Sequence, residues 1–205
     1  MLDTRLRQAL SPVLARAAAG LDRSWITPNR LTAAGLVLGL GSAVAAATGH
    51  WWWALVLWLT SRLADGLDGP LARRRPGRHN PAVGGFVDIS VDFVVYGATV
   101  VGVAFGATAG WKAPWWPFLL VLFAYYVNGT VFLAFSSIAE RSGRTIEDGR
   151  SLSFLPTLAE GAETIVVHSV WLVVPHWAAP IAAGWALIVA ISALQRIVIG
   201  YRLLR

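Results

Sequence analysis

The sequence predicts an all-α, polytopic membrane protein: six transmembrane helices preceded by an N-terminal amphipathic surface helix. Three observations predict it. Of 205 residues, 56% are hydrophobic and 14% charged, whereas soluble domains carry roughly 25% charged residues. Apolar runs close to the roughly 20 residues that a spanning helix needs recur along the whole chain, so a cleaved leader does not explain the composition. Arginines and tryptophans segregate to opposite ends of those runs. The length fits a single domain over 1–205, with a juxtamembrane amphipathic helix at 1–20 and a six-helix bundle over 31–201.

The opening residues carry Arg5, Arg7 and Arg16 among Leu, Val and Ala, the pattern of a helix lying on a membrane surface. Thr27-Pro28-Asn29 reads as a helix start, with Thr27 as N-cap and Pro28 in the first helical position. The six spans are read at 31–48, 51–71, 83–105, 115–139, 155–174 and 178–201. Gly49-His50, Gly110-Trp111-Lys112-Ala113-Pro114 and Pro175-His176 form short breaks between paired spans.

Charge sets the orientation. Arg5, Arg7, Arg16, Arg23 and Arg30 precede the first span, and Arg73, Arg74, Arg75 and Arg78 separate the second from the third. Arg141, Arg144 and Arg150 separate the fourth from the fifth, and Arg202 and Arg205 follow the last. The opposite loops carry only Lys112. The positive-inside rule therefore places both termini and the arginine-bearing loops in the cytoplasm. Trp51, Trp52, Trp53, Trp111, Trp115, Trp116, Trp171 and Trp177 fall toward the other interface, as an aromatic belt would. The chain has no cysteine, which excludes disulfides, thiolate zinc sites and a cysteine nucleophile. Its net charge of +6 points to anionic headgroups and topology, with no nucleic-acid partner expected.

Asp65, Asp68, Asp88 and Asp92 all lie inside predicted spans. A charge there costs about 2.5–3.5 kcal/mol on insertion scales, so a functional reading is the default. Asp65, Asp68, Gly69 and Ala72 share one helix face, and Gly84, Asp88 and Asp92 share another. The two helices are expected as antiparallel neighbours whose acidic faces converge near the cytoplasmic ends. Clustered carboxylates repel unless protonated or bound to cations. With no Cys or His among them they suit Mg2+, Mn2+ or Ca2+, and two such ions can clamp a pyrophosphate. Gly69, Ala72, Gly84 and Gly85 let either a helix or a ligand approach the backbone. Arg73, at the rim, can pair with a carboxylate or hold a phosphate. A cation transporter also uses intramembrane aspartates, but places them near the bilayer midplane.

These residues read Asp65-x2-Asp68-Gly69-x2-Ala72-Arg73, then ten residues, then Gly84-x3-Asp88-x3-Asp92. This resembles the signature of the CDP-alcohol phosphatidyltransferase family, matching eight positions in order within 28 residues. The spacer is longer than the family's and consists of Arg, Pro and Gly-rich loop. Pro28-Asn29-x2-Thr32 is similar to the family's amino-terminal pattern. The segments 66–92 and 159–164 resemble a bacterial inner-membrane branch of that family.

The resemblance implies a multi-pass inner-membrane homodimer whose active site faces the cytoplasm. It implies transfer of a substituted phosphoryl group, phosphatidyl in the expected case, from a CDP-linked donor such as CDP-diacylglycerol. The acceptor is an alcohol, CMP is released, and the reaction belongs to phospholipid synthesis. Asp65, Asp68 and Asp88 would ligate two divalent cations, Mg2+ or Mn2+. Asp92 would touch the metal site and take the acceptor's proton. Asp68, Gly69, Ala72, Arg73 and Gly84 would seat the CDP moiety. Arg62 and Arg196 can bind an acceptor phosphate or neutralise carboxylates inside the bundle. Glu160 and Glu163 can contact acceptor hydroxyls or favour a helix N-terminus. Tyr125 and Asn128 are expected in interhelical hydrogen bonds. His168 is expected to be packed, His50 and His176 to lie on the outer side, and His79 to belong to the basic loop.

Overall fold

The computed structural model describes residues 2–23, 25–75, 80–144, 155 and 157–205. Arg78, His79 and Arg150 lie outside them, as do the side chains of Arg5 and Arg7. The described residues form seven α-helices and one 3-10 turn, with no strand. The helices are α1 (Leu2–Gly20), α2 (Pro28–Ala47), α3 (Trp51–Arg73), α4 (Pro81–Trp111), α5 (Trp116–Arg141), α6 (Gly161–Val173) and α7 (Ala178–Leu204).

Local chemistry fixes the entries. Thr27 has extended backbone and its hydroxyl accepts the Arg30 N–H at 3.3 Å. Pro28 follows at a position whose N–H would be unpaired in any case. α4 starts in the same way, with Asn80 Oδ1 accepting the Ala82 N–H at 3.0 Å ahead of the helix.

Among the described residues, four helices are long and apolar enough to cross a membrane: Pro28–Ala47, Ala82–Trp111, Trp116–Arg141 and Pro175–Leu204. α3 has 23 residues but carries Arg62, Asp65 and Asp68 in its interior. α6 has only 13 residues, about 20 Å of helix, against the span expected over 155–174. Glu160 takes its N-cap position with extended backbone, and the helix begins at Gly161. Hydropathy had merged the stretch before it with the helix, because Leu155 and Ala159 are apolar and buried without being helical.

Trp171 departs from the expected interfacial belt. It is fully buried and stacks on His168, with ring centroids 4.7 Å apart. Tryptophan serves both a core and an interface, and composition alone does not separate the two. Trp52, Trp53, Trp116 and Trp177 are exposed.

α2 links two neighbours. It packs along both α3 and α4, while α5 pairs with α7. At Gly102, a Cβ would overlap the Ala43 carbonyl oxygen, and at Gly106 it would meet the Ala46 carbonyl oxygen and the Trp51 ring. Two glycines four residues apart thus bring α4 to backbone contact with α2. α3 and α4 do not pack backbone to backbone; both rest on α2, and their side chains meet across the space between them. The expected convergence of acidic faces therefore occurs over a gap, with α2 as its floor.

α1 is tied to α3. Ala18 is buried against Leu67 and Leu71, with Leu14 and Leu21 packed around them. Beyond the end of α3, Arg75 donates to Asp22 at 2.7 Å and to the carbonyls of Ile26 and Arg23, each at 2.8 Å. Arg74 reaches the same carboxylate at 3.3 Å. Hydrogen bonding from Arg75, with Arg74 beside it, holds the Asp22 carboxyl below its usual range. Both arginines, expected only as topology signals, thus fasten the α1–α2 linker.

Candidate metal centre and active site

The helical spacing of Asp65 and Asp68 presents both carboxylates from one face of α3, and α4 brings Asp88 toward them. One oxygen from each of these three residues lies within 4.8 Å of the other two. Oxygens bound to a cation at about 2.1–2.5 Å lie about 3–5 Å apart, so the trio fits a hard divalent ion. Asp65 Oδ1 is buried without a hydrogen-bond partner, so that oxygen's lone pairs fit a cation ligand. Carboxylates alone supply the cluster, so oxygen-preferring Mg2+ or Mn2+ suits it better than zinc.

Thr32 of α2 holds the cluster from below. Its hydroxyl donates to Asp68 Oδ2 at 2.6 Å, a charge-assisted bond that fixes one carboxylate orientation. Thr27-Pro28-Asn29 was legible as a helix start, but not this bond. Thr32→Val, which removes the hydroxyl and keeps the shape, is expected to weaken Mn2+ binding by about tenfold, as losses of groups that orient metal ligands do. Thr32→Ser is expected to restore it; a metal titration followed by electron paramagnetic resonance checks both.

Asp92 is not one of the three whose oxygens all lie within 4.8 Å of one another, but it shares a guanidinium with Asp65. Its Oδ1 accepts a 2.6 Å bond from Arg62 Nη1, and the same nitrogen lies 3.8 Å from Asp65 Oδ2. Arg62 is thus ion-paired to carboxylates on both α3 and α4. The guanidinium carbon lies 5.2 Å from the Trp58 ring centroid and 5.1 Å from that of Tyr96. Trp58 and Tyr96 were not singled out in the sequence. Their signal was an aromatic residue one helical turn from a charged one: Trp58 before Arg62, Tyr96 after Asp92.

The glycines near the acids face open space. A Cβ at Gly84 would meet nothing, and one at Gly69 only the Arg73 guanidinium at 3.4 Å. Helix packing does not account for them, in contrast to Gly102 and Gly106. Ala72 is half-buried beside them and Arg73 is exposed.

Arg196 and Glu160 are both buried and meet at Thr157. Arg196 Nε donates to the Thr157 hydroxyl at 3.3 Å, and Glu160 accepts the Thr157 N–H at 2.9 Å. Glu163 occupies the first turn of α6 and is half-buried. His168 is buried and stacked between Trp58 and Trp171. Its Nε2 lies 3.0 Å from the Tyr125 hydroxyl, which accepts the Trp185 Nε1–H at 2.7 Å. Tyr125 thus makes its interhelical bonds, whereas Asn128 Oδ1 is buried without one.

A model of the family described as CDP-alcohol phosphatidyltransferase matches residues 25–194. The inner membrane protein YnjF of Escherichia coli K12 is 34% identical over an alignment of 215 residues, covering 100% of this chain and 98% of that protein. The phosphatidylinositol phosphate synthase of Mycobacteroides abscessus is 32% identical over 111 residues, 51% of this chain and 47% of that one. Among solved structures, the phosphatidylinositol phosphate synthase of Mycobacterium tuberculosis with CDP-DAG bound superposes with a TM-score of 0.75. It is 20% identical and the match covers 93% of this chain and 94% of that one, so the two share a fold.

Proposed function

This chain belongs to the CDP-alcohol phosphatidyltransferase family of transferases, and from that membership we propose that it transfers a phosphatidyl group from CDP-diacylglycerol to an acceptor alcohol, releasing CMP. The observation that carries the reading is the convergence of Asp65, Asp68 and Asp88, from two helices, to within 4.8 Å. The family places the chain among membrane enzymes of phospholipid synthesis and sets aside the transporter reading.

Asp65, Asp68 and Asp88 would hold two divalent cations, Mg2+ or Mn2+. Those ions, when bound, neutralise charge on the phosphates as the pyrophosphate bond breaks. Thr32 keeps Asp68 turned to its ligating orientation. Gly69 and Gly84, facing open space with Ala72 beside them, let the CDP moiety lie against backbone. Arg73, exposed at the same end, supplies a guanidinium to a phosphate. The acceptor oxygen forms the new P–O bond, the bridging oxygen leaves with CMP, and the acceptor proton passes to Asp92. A carboxylate is a weak base at neutral pH. Asp92 therefore acts first by orienting the hydroxyl and takes the proton late.

The six-span layout follows the same reading. The charged residues of α3 turn inward, with the Arg62 side chain 4% exposed, which lets that helix cross the membrane. α6 crosses together with the non-helical stretch before it. The single domain, the surface position of α1, cytoplasmic termini and active site, an inner-membrane location and a homodimer complete the proposal. Arg196 and Glu160 would border the acceptor, with Glu163 beside them.

CMP release from CDP-diacylglycerol, measured against a panel of alcohol and sugar-phosphate acceptors, tests it. Release is expected to need both an acceptor and Mg2+ or Mn2+, to stop in excess chelator and to return on metal addition. Full turnover in chelator would end the metal-dependent reading, and Mn2+ flux into proteoliposomes without CMP release would end the transferase one.

A further inference from the structure

We propose that the cluster of Trp58, Arg62 and Tyr96 is a spacer that sets the width of the acidic gap and so biases it toward a small cation, Mg2+ or Mn2+, over the larger Ca2+. Tyr96 is its α4 member and a positioning residue: it acts on the cation through the helix that carries Asp88 and Asp92. The inference rests on the metal-site reading above and deepens it.

The gap needs such a spacer. α3 and α4 do not pack backbone to backbone, yet Asp65 and Asp68 come from the first and Asp88 and Asp92 from the second. The separation of the two helices therefore enters every distance between an α3 carboxylate and an α4 carboxylate. One helical turn from the acids, away from the arginine-rich loop, side chains fill the space between the helices. The Arg62 guanidinium carbon lies 5.2 Å from the Trp58 ring centroid on α3 and 5.1 Å from the Tyr96 ring centroid on α4. The two ring centroids lie 5.9 Å apart. Three planar groups from two helices thus each touch the other two, and groups in such contact do not compress.

The cluster is moored on every side. Arg62 Nη2 donates to the Ser61 hydroxyl at 3.1 Å, and that hydroxyl donates to the Gly35 carbonyl of α2 at 2.7 Å. Trp58 Nε1 donates to the Ser169 hydroxyl of α6 at 3.1 Å. His168 of α6 closes the back, its ring centroid 5.0 Å from that of Trp58 and 5.6 Å from that of Tyr96. Its Nε2 lies 3.0 Å from the Tyr125 hydroxyl of α5. Toward the acids, Arg62 Nη1 reaches Asp92 at 2.6 Å and Asp65 at 3.8 Å. Arginine suits this place because its flat guanidinium lies against rings while its N–H donors reach carboxylates. Tyr96 follows Asp92 by four residues, so it cannot shift without carrying the α4 acids along.

Cation size turns that width into selectivity. Mg2+ demands oxygens at about 2.1 Å in a near-ideal octahedron, which puts neighbouring oxygens about 3.0 Å apart. Ca2+ takes them at about 2.4 Å, about 3.4 Å apart, and tolerates variable geometry. A gap held by rigid groups keeps the closer spacing. A gap free to open gives up its preference for the smaller ion.

The test uses the full chain in detergent without donor. Mn2+ binding is read by electron paramagnetic resonance, and Mg2+ and Ca2+ are titrated against it to give the ratio of their affinities. Tyr96→Leu is expected to shift that ratio about tenfold toward Ca2+, the size of effect that groups behind metal ligands produce. Tyr96→Phe keeps the ring and is expected to hold the ratio within about twofold of the wild type. An unchanged ratio in folded Tyr96→Leu overturns the proposal, as does equal weakening of Mg2+ and Ca2+, or a Tyr96→Phe shift as large as that of Tyr96→Leu. If Tyr96→Leu does not fold, Trp58→Phe replaces it, trimming the cluster from the α3 side while keeping an apolar ring. Its ratio is expected to move at least about threefold the same way, and no movement overturns the proposal. Failure of the site itself reads differently: no Mn2+ binding by the wild type, or undiminished binding by Asp65→Asn, ends the metal-site reading, and the spacer with it.

Discussion

Asp65→Asn is expected to lower CMP release by about a thousandfold while leaving the thermal midpoint at or above that of the wild type. The first half follows from ligation. Asp65 supplies one of three oxygens that lie within 4.8 Å of each other. Losing one ligand of a catalytic cation removes several kcal/mol of transition-state charge stabilisation, and about 4 kcal/mol corresponds to a factor of about a thousand. The second half follows from repulsion. Three carboxylates crowd one gap, and Asp65 Oδ1 is buried with no donor. Asparagine keeps the shape and removes the charge, while Arg62 keeps Asp92 as its partner at 2.6 Å, so no orphaned cation results. Lower activity with equal or greater stability marks a group retained for chemistry. A thermal scan of metal-free protein beside a CMP assay reads both halves, and a midpoint lowered by several degrees would show that the carboxylate supports the fold instead.

Gly102→Val is expected to prevent recovery of folded protein. The obstacle is the Ala43 carbonyl oxygen of α2, a backbone atom that cannot rotate away. Overpacking a helix interface costs roughly 1–3 kcal/mol when side chains can shift, and here α2 and α4 themselves must separate. That separation would move Thr32 and Asp88 with their helices, so Mn2+ binding is expected to vanish with the folded fraction. Gly84→Ala is the matched control. A Cβ there meets nothing, so size-exclusion profile and melting are expected to match the wild type. Comparable recovery of the Gly102 and Gly84 variants would contradict the close α2–α4 approach.

Much of the site was legible because helical spacing acts before tertiary structure. Asp65 and Asp68 share a face in any helix, and the Thr27-Pro28 entry is chemistry between neighbours in the chain. Partner choice was less accessible. Nothing local says whether Arg62 meets a phosphate or Asp92, since the answer depends on how α3 and α4 rest against α2. The glycines illustrate the same limit. Gly69 and Gly84 sit near the acids and face open space, whereas Gly102 and Gly106 lie against the α2 backbone; their four-residue spacing was a readable signal, overshadowed by the acids. Apolar character without helical backbone misled the reading of 155 and 157–160, and Trp171 has the composition of a belt residue and the position of a core one.

The tie between α1 and α3 has a mechanical consequence. Leu67 lies between Asp65 and Asp68 in the chain and, with Leu71, packs under Ala18 of α1, so the face that holds the leading helix and the face that holds the acids turn on the same two helical turns. With Arg75 clamping the linker to Asp22 at 2.7 Å, α1 has no slack to float independently. Any interface on which α1 settles thereby fixes the height of the carboxylates relative to that plane, much as a depth stop sets how far a tool enters the work.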